Sequence, residues 1–407
     1  MQRVLIMTNS LKIFITCSCA TFIVFFAWRP KFNVLIKQQN RTMVKIQSSD
    51  AHKGVDNKNK KDIWHIESSR FPIGVDISLA AEQVKKIWKR SDAKYICYDC
   101  QKVCGGWGDR MAGIASSFMW ALMTNRKYVI QQNFPCALTT VYKPNLVNWA
   151  SDLPNGLTTK HITLIDNHKF MPNKIKNPST HIDGRYPYDI ISFRVNQDWI
   201  EGFQNPIYEK RLTQLGFNTS ELKMDNVFPK LHSLLFKLQD SIQKRLNNFI
   251  VNAKTRFNTL LICAQIRMGV NPSIPHDVGP PRNKLEFLSV VWEFLSQFNN
   301  SDQHRIFITT DSEDVRQTAK RLFPNTIVDT EGIITHVDRT PNRSQACQGM
   351  QKVSLDFHIQ TYCDVLMISR SNFGEYGAHL RNSKEGVYGF FNGTIVKGYP
   401  PYIIRSQ

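Results

Sequence analysis

Apolar and polar positions divide the chain into an N-terminal apolar run, a polar stretch and a long body with alternating periodicities. Residues 13–28 (IFITCSCATFIVFFAW) carry no charge and are bracketed by Lys12 and Arg29. About 20 apolar residues span an average bilayer, and thinner early-secretory membranes accept fewer, so snorkelling flanks make this short run sufficient. A cleaved signal peptide is the alternative, but Phe25-Phe26-Ala27-Trp28 offers a poor small-x-small cleavage site. Basic residues lie on both sides, so charge does not settle the orientation. The favoured reading is an uncleaved signal anchor, with 1–12 as a cytosolic tail and the body lumenal. Residues 29–92 are polar, include NKNKK at 57–61, and lack sustained periodicity until about Ile73. They read as a stem that frays into structure near residue 70.

From Lys94 the pattern changes. KYICY (94–98) predicts a short strand, followed by a glycine-rich loop. Met111, Ile114, Ala115, Phe118 and Leu122 then recur at helical spacing, and KYVI (127–130) predicts a second strand. This is one strand–loop–helix–strand unit of an α/β sheet. The region 132–255 is irregular except for an amphipathic helix expected over 231–250. A second set begins with the strand 259–267 (TLLICAQIR). It continues with helix 285–298, strand 305–310, helix 312–322, strand 326–328, helix 353–363 and strand 365–369, ending in an expected loop at 370–377 (RSNFGEYG). Two such blocks predict two Rossmann-like domains facing a cleft, over 93–255 and 256–407, with ligands beyond the carboxyl ends of the strands. The 407 residues, 42% of them hydrophobic, suffice for two cores of roughly 150 residues each.

A formal net charge of +19 suggests an anionic partner, although basic chains are also ordinary in the secretory pathway. No RRM, helix-turn-helix or zinc-finger spacing occurs, which sets nucleic acid aside. Asn40, Asn218, Asn299, Asn342 and Asn392 begin N-glycosylation sequons, the last four in the expected lumenal body. Of nine cysteines, Cys17 and Cys19 lie in the apolar run. The seven that remain are an odd number, so one thiol is free or pairs between chains, the latter implying a homodimer. Cys97, Cys100 and Cys104 have no clustered His, and in an oxidising lumen their spacing favours a disulfide over zinc.

Five features bear on chemistry. Gly105, Gly106 and Gly108, with Asp109 and Arg110, let backbone approach a ligand and point a helix N-terminus at an anion; an ordinary tight turn explains them equally well. Arg267 ends an apolar strand and suits a phosphate, or a carboxylate across the cleft. Asp311, followed by Ser312 and Glu313, either caps the next helix or holds a ribose or base at the strand edge. Ser371, Asn372, Phe373 and Gly374 suit a phosphate or sugar contact, or form a plain loop. His276 and Asp277 are candidates for a general base. No Asp-x-Asp pair occurs. Charge stabilisation by Arg267 and backbone amides is therefore expected in place of a divalent cation.

Four of these segments stand in a recognisable order. CGGWGDRMAGIASSFMWALMTNRKYVI (104–130), QIRMG (265–269), ITTDSEDVRQTAKRLFP (308–324) and ISRSNFGEYGAHL (368–380) are similar to successive motifs of the fucosyltransferase superfamily, comprising the α1,2-, α1,6- and protein O-fucosyltransferases. The chain looks most like the plant xyloglucan fucosyltransferase branch and its animal relatives. The match covers most of 95–130 and 258–382. The resemblance implies a GT-B fold and inverting, metal-independent transfer of fucose from GDP-fucose to a glycan or glycoprotein hydroxyl, with α1,2 linkage to galactose as the family-level expectation. It implies a Golgi type II membrane protein, Arg267 on the donor diphosphate, and Asp311 and Ser371 lining the donor site. Gln265 stands where many relatives carry His, and the general base does not carry over. Another nucleotide sugar, or a non-catalytic glycan-binding role on the same fold, are the alternatives.

Overall fold

A computed structural model describes residues 76–167, 175, 186–270 and 281–398. The apolar run 13–28, most of the stem, and His276 and Asp277 lie outside the described residues. Among the described residues no helix is long and apolar enough to cross a membrane.

Helix α1 (Ser78–Lys89) falls inside the range read as stem, and its Ala80, Val84 and Ile87 are buried. Strand β1 (Tyr95–Cys100), helix α2 (Trp107–Met123) and strand β2 (Lys127–Gln132) form the first expected unit. With β4 (Thr159–Leu164) and β5 (Ile190–Val195) the strands make a parallel sheet of order β2-β1-β5-β4, while the short β3 (Tyr142–Pro144) lies outside it. Helix α2 is buried on every side except at Asp109, because it lies between this sheet and helices of the second half.

The expected helix over 231–250 is two helices, α3 (Met224–Leu235) and α4 (Asp240–Ala253). The break has a local cause: Phe236–Leu238 (β6) pairs antiparallel with β3, burying Phe236 and Leu238 and exposing Lys237.

The second sheet contains β7 (Leu260–Ile266), β8 (His304–Thr310), β9 (Ile327–Val328), β10 (Val365–Ser369), β11 (Val387–Phe391) and β12 (Thr394–Lys397), in the order β12-β11-β10-β7-β8-β9. All neighbours are parallel except the β11–β12 hairpin. Strand β7 is almost wholly buried, as a central parallel strand covered on both faces must be. Its connections are α5 (Leu288–Ser296), α6 (Glu313–Leu322), α7 (Arg343–Ile359) and α8 (Asn372–Leu380). In both sheets the order reverses beside the first strand, between β1 and β5 and between β7 and β10. Ligand crevices of open α/β sheets form at such switch points.

Two expectations need correction. Helix α7 starts ten residues before the expected 353, capped by Asn342, whose side chain accepts from Gln345 N at 3.0 Å. In its first turns only Ala346, Gly349 and Met350 are buried, set among polar residues. The segment 370–377 is not a loop, because Ser371 caps α8 by accepting from Phe373 N at 3.2 Å.

One apolar cluster runs from the first sheet through α2, α3 and α7 to one face of the second sheet, and a separate cluster fills that sheet's other face. Disulfides join Cys100 to Cys104, Cys136 to Cys347 and Cys263 to Cys363. Among the described residues the unpaired cysteine is Cys97, buried on β1, where desolvation pushes its thiol up to about 12. Asn218, Asn299, Asn342 and Asn392 are all exposed.

Within the large cluster Tyr142 Oη meets His358 Nε2 at 2.8 Å and His232 Nε2 at 3.4 Å. Burial lowers the pKa of His358 to about 3 and holds His232 well below its ordinary value. Each histidine is neutral when folded and binds a proton when unfolded below about 6.5. The unfolded state then holds more protons, so stability falls as pH drops from 6.5 toward 3, at about 1.4 kcal/mol per unit per histidine. Urea unfolding at pH 7 and pH 5 is expected to show this loss, and His358→Gln to flatten it.

Candidate functional site

Strand β1 delivers its glycine-rich loop to the switch point. The Cys100–Cys104 disulfide closes the approach, Gly105 adopts φ +95°, and Gly106 precedes α2 in extended conformation. Asp109 turns back and accepts from Gly106 N at 2.9 Å, satisfying one amide of the helix start.

An anion was expected at this loop, and the chain supplies it from 338. The Asp338 carboxylate accepts from Cys104 N at 3.1 Å, from Gly105 N and from Arg110. Burial raises the carboxyl pKa of Asp338, while Arg110 and the loop amides oppose that rise. Arg110, expected to face the donor, is 0% exposed; its guanidinium serves Gly105 O at 3.1 Å, Phe134 O and Asp338. It anchors the loop from beneath.

Gly108 was expected to admit a ligand, and what approaches it is protein. A Cβ there would lie 2.2 Å from Asn372 C and 2.4 Å from Phe373 N. The glycine lets α2 meet the start of α8. The contact is sealed by Asn372 Nδ2, which donates to Asp109 Oδ1 at 2.6 Å. Thus Gly105, Gly106, Gly108 and Asp109 come together with Asn372 and Phe373 across the two halves. Gly374 serves packing too: a Cβ there would fall 2.4 Å from Gln265 Oε1, an atom that accepts from Ser369 N at 3.2 Å. Gln265 therefore ties β7 to β10.

The carboxyl end of β7 is pinned from several sides. Arg267 N donates to Ser369 Oγ at 2.7 Å, and Asn283 Nδ2 donates to Arg267 O at 2.7 Å. Asp311 does not cap α6, since Ser312 does so by accepting from Val315 N. Asp311 instead accepts from Met268 N at 2.7 Å, Gly269 N at 2.9 Å and the Arg267 guanidinium. Arg267 thus has its carboxylate partner just beyond the end of the neighbouring strand of its own sheet, and its side chain keeps 21% of its exposure.

Three further guanidinium groups gather at this edge. Arg282 returns the chain to β7, its N donating to Met268 O at 2.7 Å. Solvent reaches Arg282, yet partial desolvation lowers its pKa, and the charges of Arg370, Arg267 and Arg339 lower it further while Asp109 opposes them. Four arginines therefore share one electrostatic neighbourhood with the first helix of the other half. The Arg282 side chain makes no hydrogen bond or ion pair to a described residue. Like charges held close are unfavourable unless an anion relieves them. Sequence reasoning missed Arg282, Arg339 and Arg370, which lie outside any periodic pattern. Arg370 directly precedes the Ser371 motif and was the one with a local signal. Among the described residues no three His, Cys, Asp or Glu side chains are grouped to hold a metal ion.

The fold and this edge define an α/β protein of two parallel sheets whose switch-point loops meet around a cluster of guanidiniums. No protein-family model matches the sequence, and no curated protein matches it. Among solved structures, a mutant of Arabidopsis thaliana FUT1 in complex with GDP matches with a TM-score of 0.50 at 13% identity, over 80% of this chain and 77% of that one. NodZ α-1,6-fucosyltransferase co-crystallised with GDP matches at 0.44 and 12% identity, over 75% and 98%. POFUT1 in complex with GDP matches at 0.40 and 9% identity, over 74% and 99%. The chain shares the fold of that Arabidopsis thaliana FUT1 structure.

Proposed function

We propose that this protein is a GDP-fucose-dependent fucosyltransferase acting on a glycan hydroxyl with inversion and without a metal, with α1,2 linkage to galactose as the first to test. The observation that carries the reading is the gathering of Arg267, Arg282 and Arg370 at the carboxyl edge of the second sheet, where Arg282 N donates to Met268 O and Arg370 follows the strand paired with β7. A nucleoside diphosphate leaving group gains negative charge as its bond to the sugar breaks. Fixed cations at that point stabilise the transition state more than the ground state. Ser371 at the N-terminus of α8, with Phe373 beside it, belongs to the same edge and would contact the donor. Asp311 would act indirectly, by holding Arg267 and the Met268–Gly269 amides in place. The amides of Cys104 and Gly105 are engaged by Asp338, so charge stabilisation falls to the arginines. In the same reading the uncharged run 13–28 anchors the chain in the Golgi membrane with the body lumenal, and the four exposed sequons carry glycans.

Isothermal calorimetry with GDP-fucose, GDP and UDP-sugars tests the donor. Binding of GDP and GDP-fucose, weakened by rising salt as an arginine-held diphosphate must be, is the expected result. Binding of UDP-sugars alone would replace the donor, and no nucleotide binding would leave a glycan-binding role. Transfer to a glycan array identifies the acceptor and its linkage.

A further inference from the structure

Strands of a covered parallel sheet are ordinarily apolar on both faces. The first sheet departs from this on one side. Ile162, Leu164, Phe193 and Val195 turn one face of β4 and β5 into the large apolar cluster. The opposite face carries His161 and Thr163, the register partners of Ser192 and Arg194. Asp99 belongs to the same face, two residues beyond Cys97, which pairs with Ser192. Polar residues are ordinary on an edge strand such as β4, but β1 and β5 are interior strands. Polar side chains where a covering element would need apolar ones point to a site rather than a core. These five polar residues and Lys102 line a cavity of about 300 Å³.

The charges in this wall are available to a ligand. Lys102 is exposed, and among the described residues neither its ammonium nor the Asp99 carboxylate has a hydrogen-bond or ion-pair partner. Arg194 donates from Nε to Val103 O at 3.2 Å and from Nη2 to the same oxygen. That contact fixes the guanidinium and leaves Nη1 without a partner among the described residues. Two cations thus face one carboxylate, beside the hydroxyls of Thr163 and Ser192. The carboxylate and hydroxyls suit the hydroxyl groups of a sugar, and the surplus positive charge suits an acidic substituent on it. A net charge of +19 for the chain agrees with an anionic ligand. The cavity also adjoins the glycine-rich loop. Lys102 stands three residues before Gly105, a reach of at most about 11 Å. Val103, whose carbonyl Arg194 holds, precedes Cys104, and Cys104 N donates to Asp338 at 3.1 Å. One short segment therefore walls the cavity and leads into the loop at the switch point.

We propose that this cavity is an acceptor subsite for an acidic sugar residue, one bearing a carboxylate or a sulfate; its part in transfer rests on the fucosyltransferase reading above. Lys102 and Arg194 Nη1 hold the acid group, and Asp99, Thr163 and Ser192 take the hydroxyls.

The test uses the full-length protein and three matched galactose-containing oligosaccharides: one with a uronic acid, one with a sulfate, and the neutral parent. Calorimetry is expected to show an acidic ligand bound about 10-fold to 100-fold more tightly than the neutral parent. The gap should close as salt rises, and the tighter of the two acidic ligands names the acid group. Lys102→Glu is expected to abolish the gap, with GDP affinity measured alongside to show that the protein is folded. Thr163→Tyr puts a strand-forming aromatic at an exposed strand position, fills the cavity and is expected to lose the acidic ligand. Equal affinity for acidic and neutral ligands, or an acid preference that survives both substitutions, overturns the subsite. Acid binding that depends on Lys102 in a protein that binds no GDP-fucose overturns the fucosyltransferase reading and upholds the ligand of the cavity.

Discussion

Under the proposed function, replacing Arg267 by alanine is expected to slow fucose transfer by about two to four orders of magnitude, the usual cost of losing a preorganised charge-stabilising donor. The backbone at this position is secured independently of the side chain, through Arg267 N to Ser369 Oγ and Asn283 Nδ2 to Arg267 O. Asp311 keeps two amide donors when the guanidinium is gone. The variant should therefore fold, and the lost activity should belong to the transition state, so kcat and kcat/KM should fall together. Arg267→Lys keeps the charge but not the planar fork and is expected to fall between. The discriminating measurement is steady-state transfer alongside thermal unfolding. Near-normal transfer by a folded Arg267→Ala protein would move the diphosphate contact to Arg282, Arg339 or Arg370.

Much of this site was legible because its scaffold is local. Apolar runs announce β1, β7 and β10, and helical spacing announces α2, so the sequence alone places the loops bearing Gly105 and Arg267 at strand ends. What those loops touch was not legible. The Asp338 partner of Arg110 lies 228 residues away in a stretch without periodicity. Gly108, Gly374 and Asn372 read as ligand-facing because small polar residues suit a ligand and a helix crossing alike. Only the position of the opposing backbone separates the two. Helix α7 escaped notice in its first turns, where polar residues hide the helical repeat. Arg282 and Arg339 are two basic residues among 52, and a cluster built from distant loops has no signature along the chain.

Asp338→Ala is expected to destabilise the fold by about 3–5 kcal/mol, the cost of leaving a buried charge without its partner. Arg110 has no solvent exposure, and its remaining partners are neutral carbonyls of Gly105 and Phe134. The alanine also strips the Cys104 and Gly105 amides of their acceptor, so the loss comes from both the charge and the loop. A buried pair is weak support for stability when both members go together, since an apolar pair of similar volume often serves as well. Arg110→Met combined with Asp338→Leu should therefore recover a large part of the loss, and urea unfolding of the two single variants and the double variant measures the coupling. The segment that carries Asp338 is also bound to the first half by the Cys136–Cys347 disulfide and by Arg343, which donates to Pro135 O and Asn133 O at 2.7 Å. With those ties in place the segment stays attached, and the damage should centre on the glycine loop. GDP affinity of the double variant then separates two roles. Affinity near the wild-type value makes the ion pair a fastener for the loop. Affinity lost despite recovered stability means that the pose Asp338 imposes on Cys104 and Gly105 is itself part of the donor site.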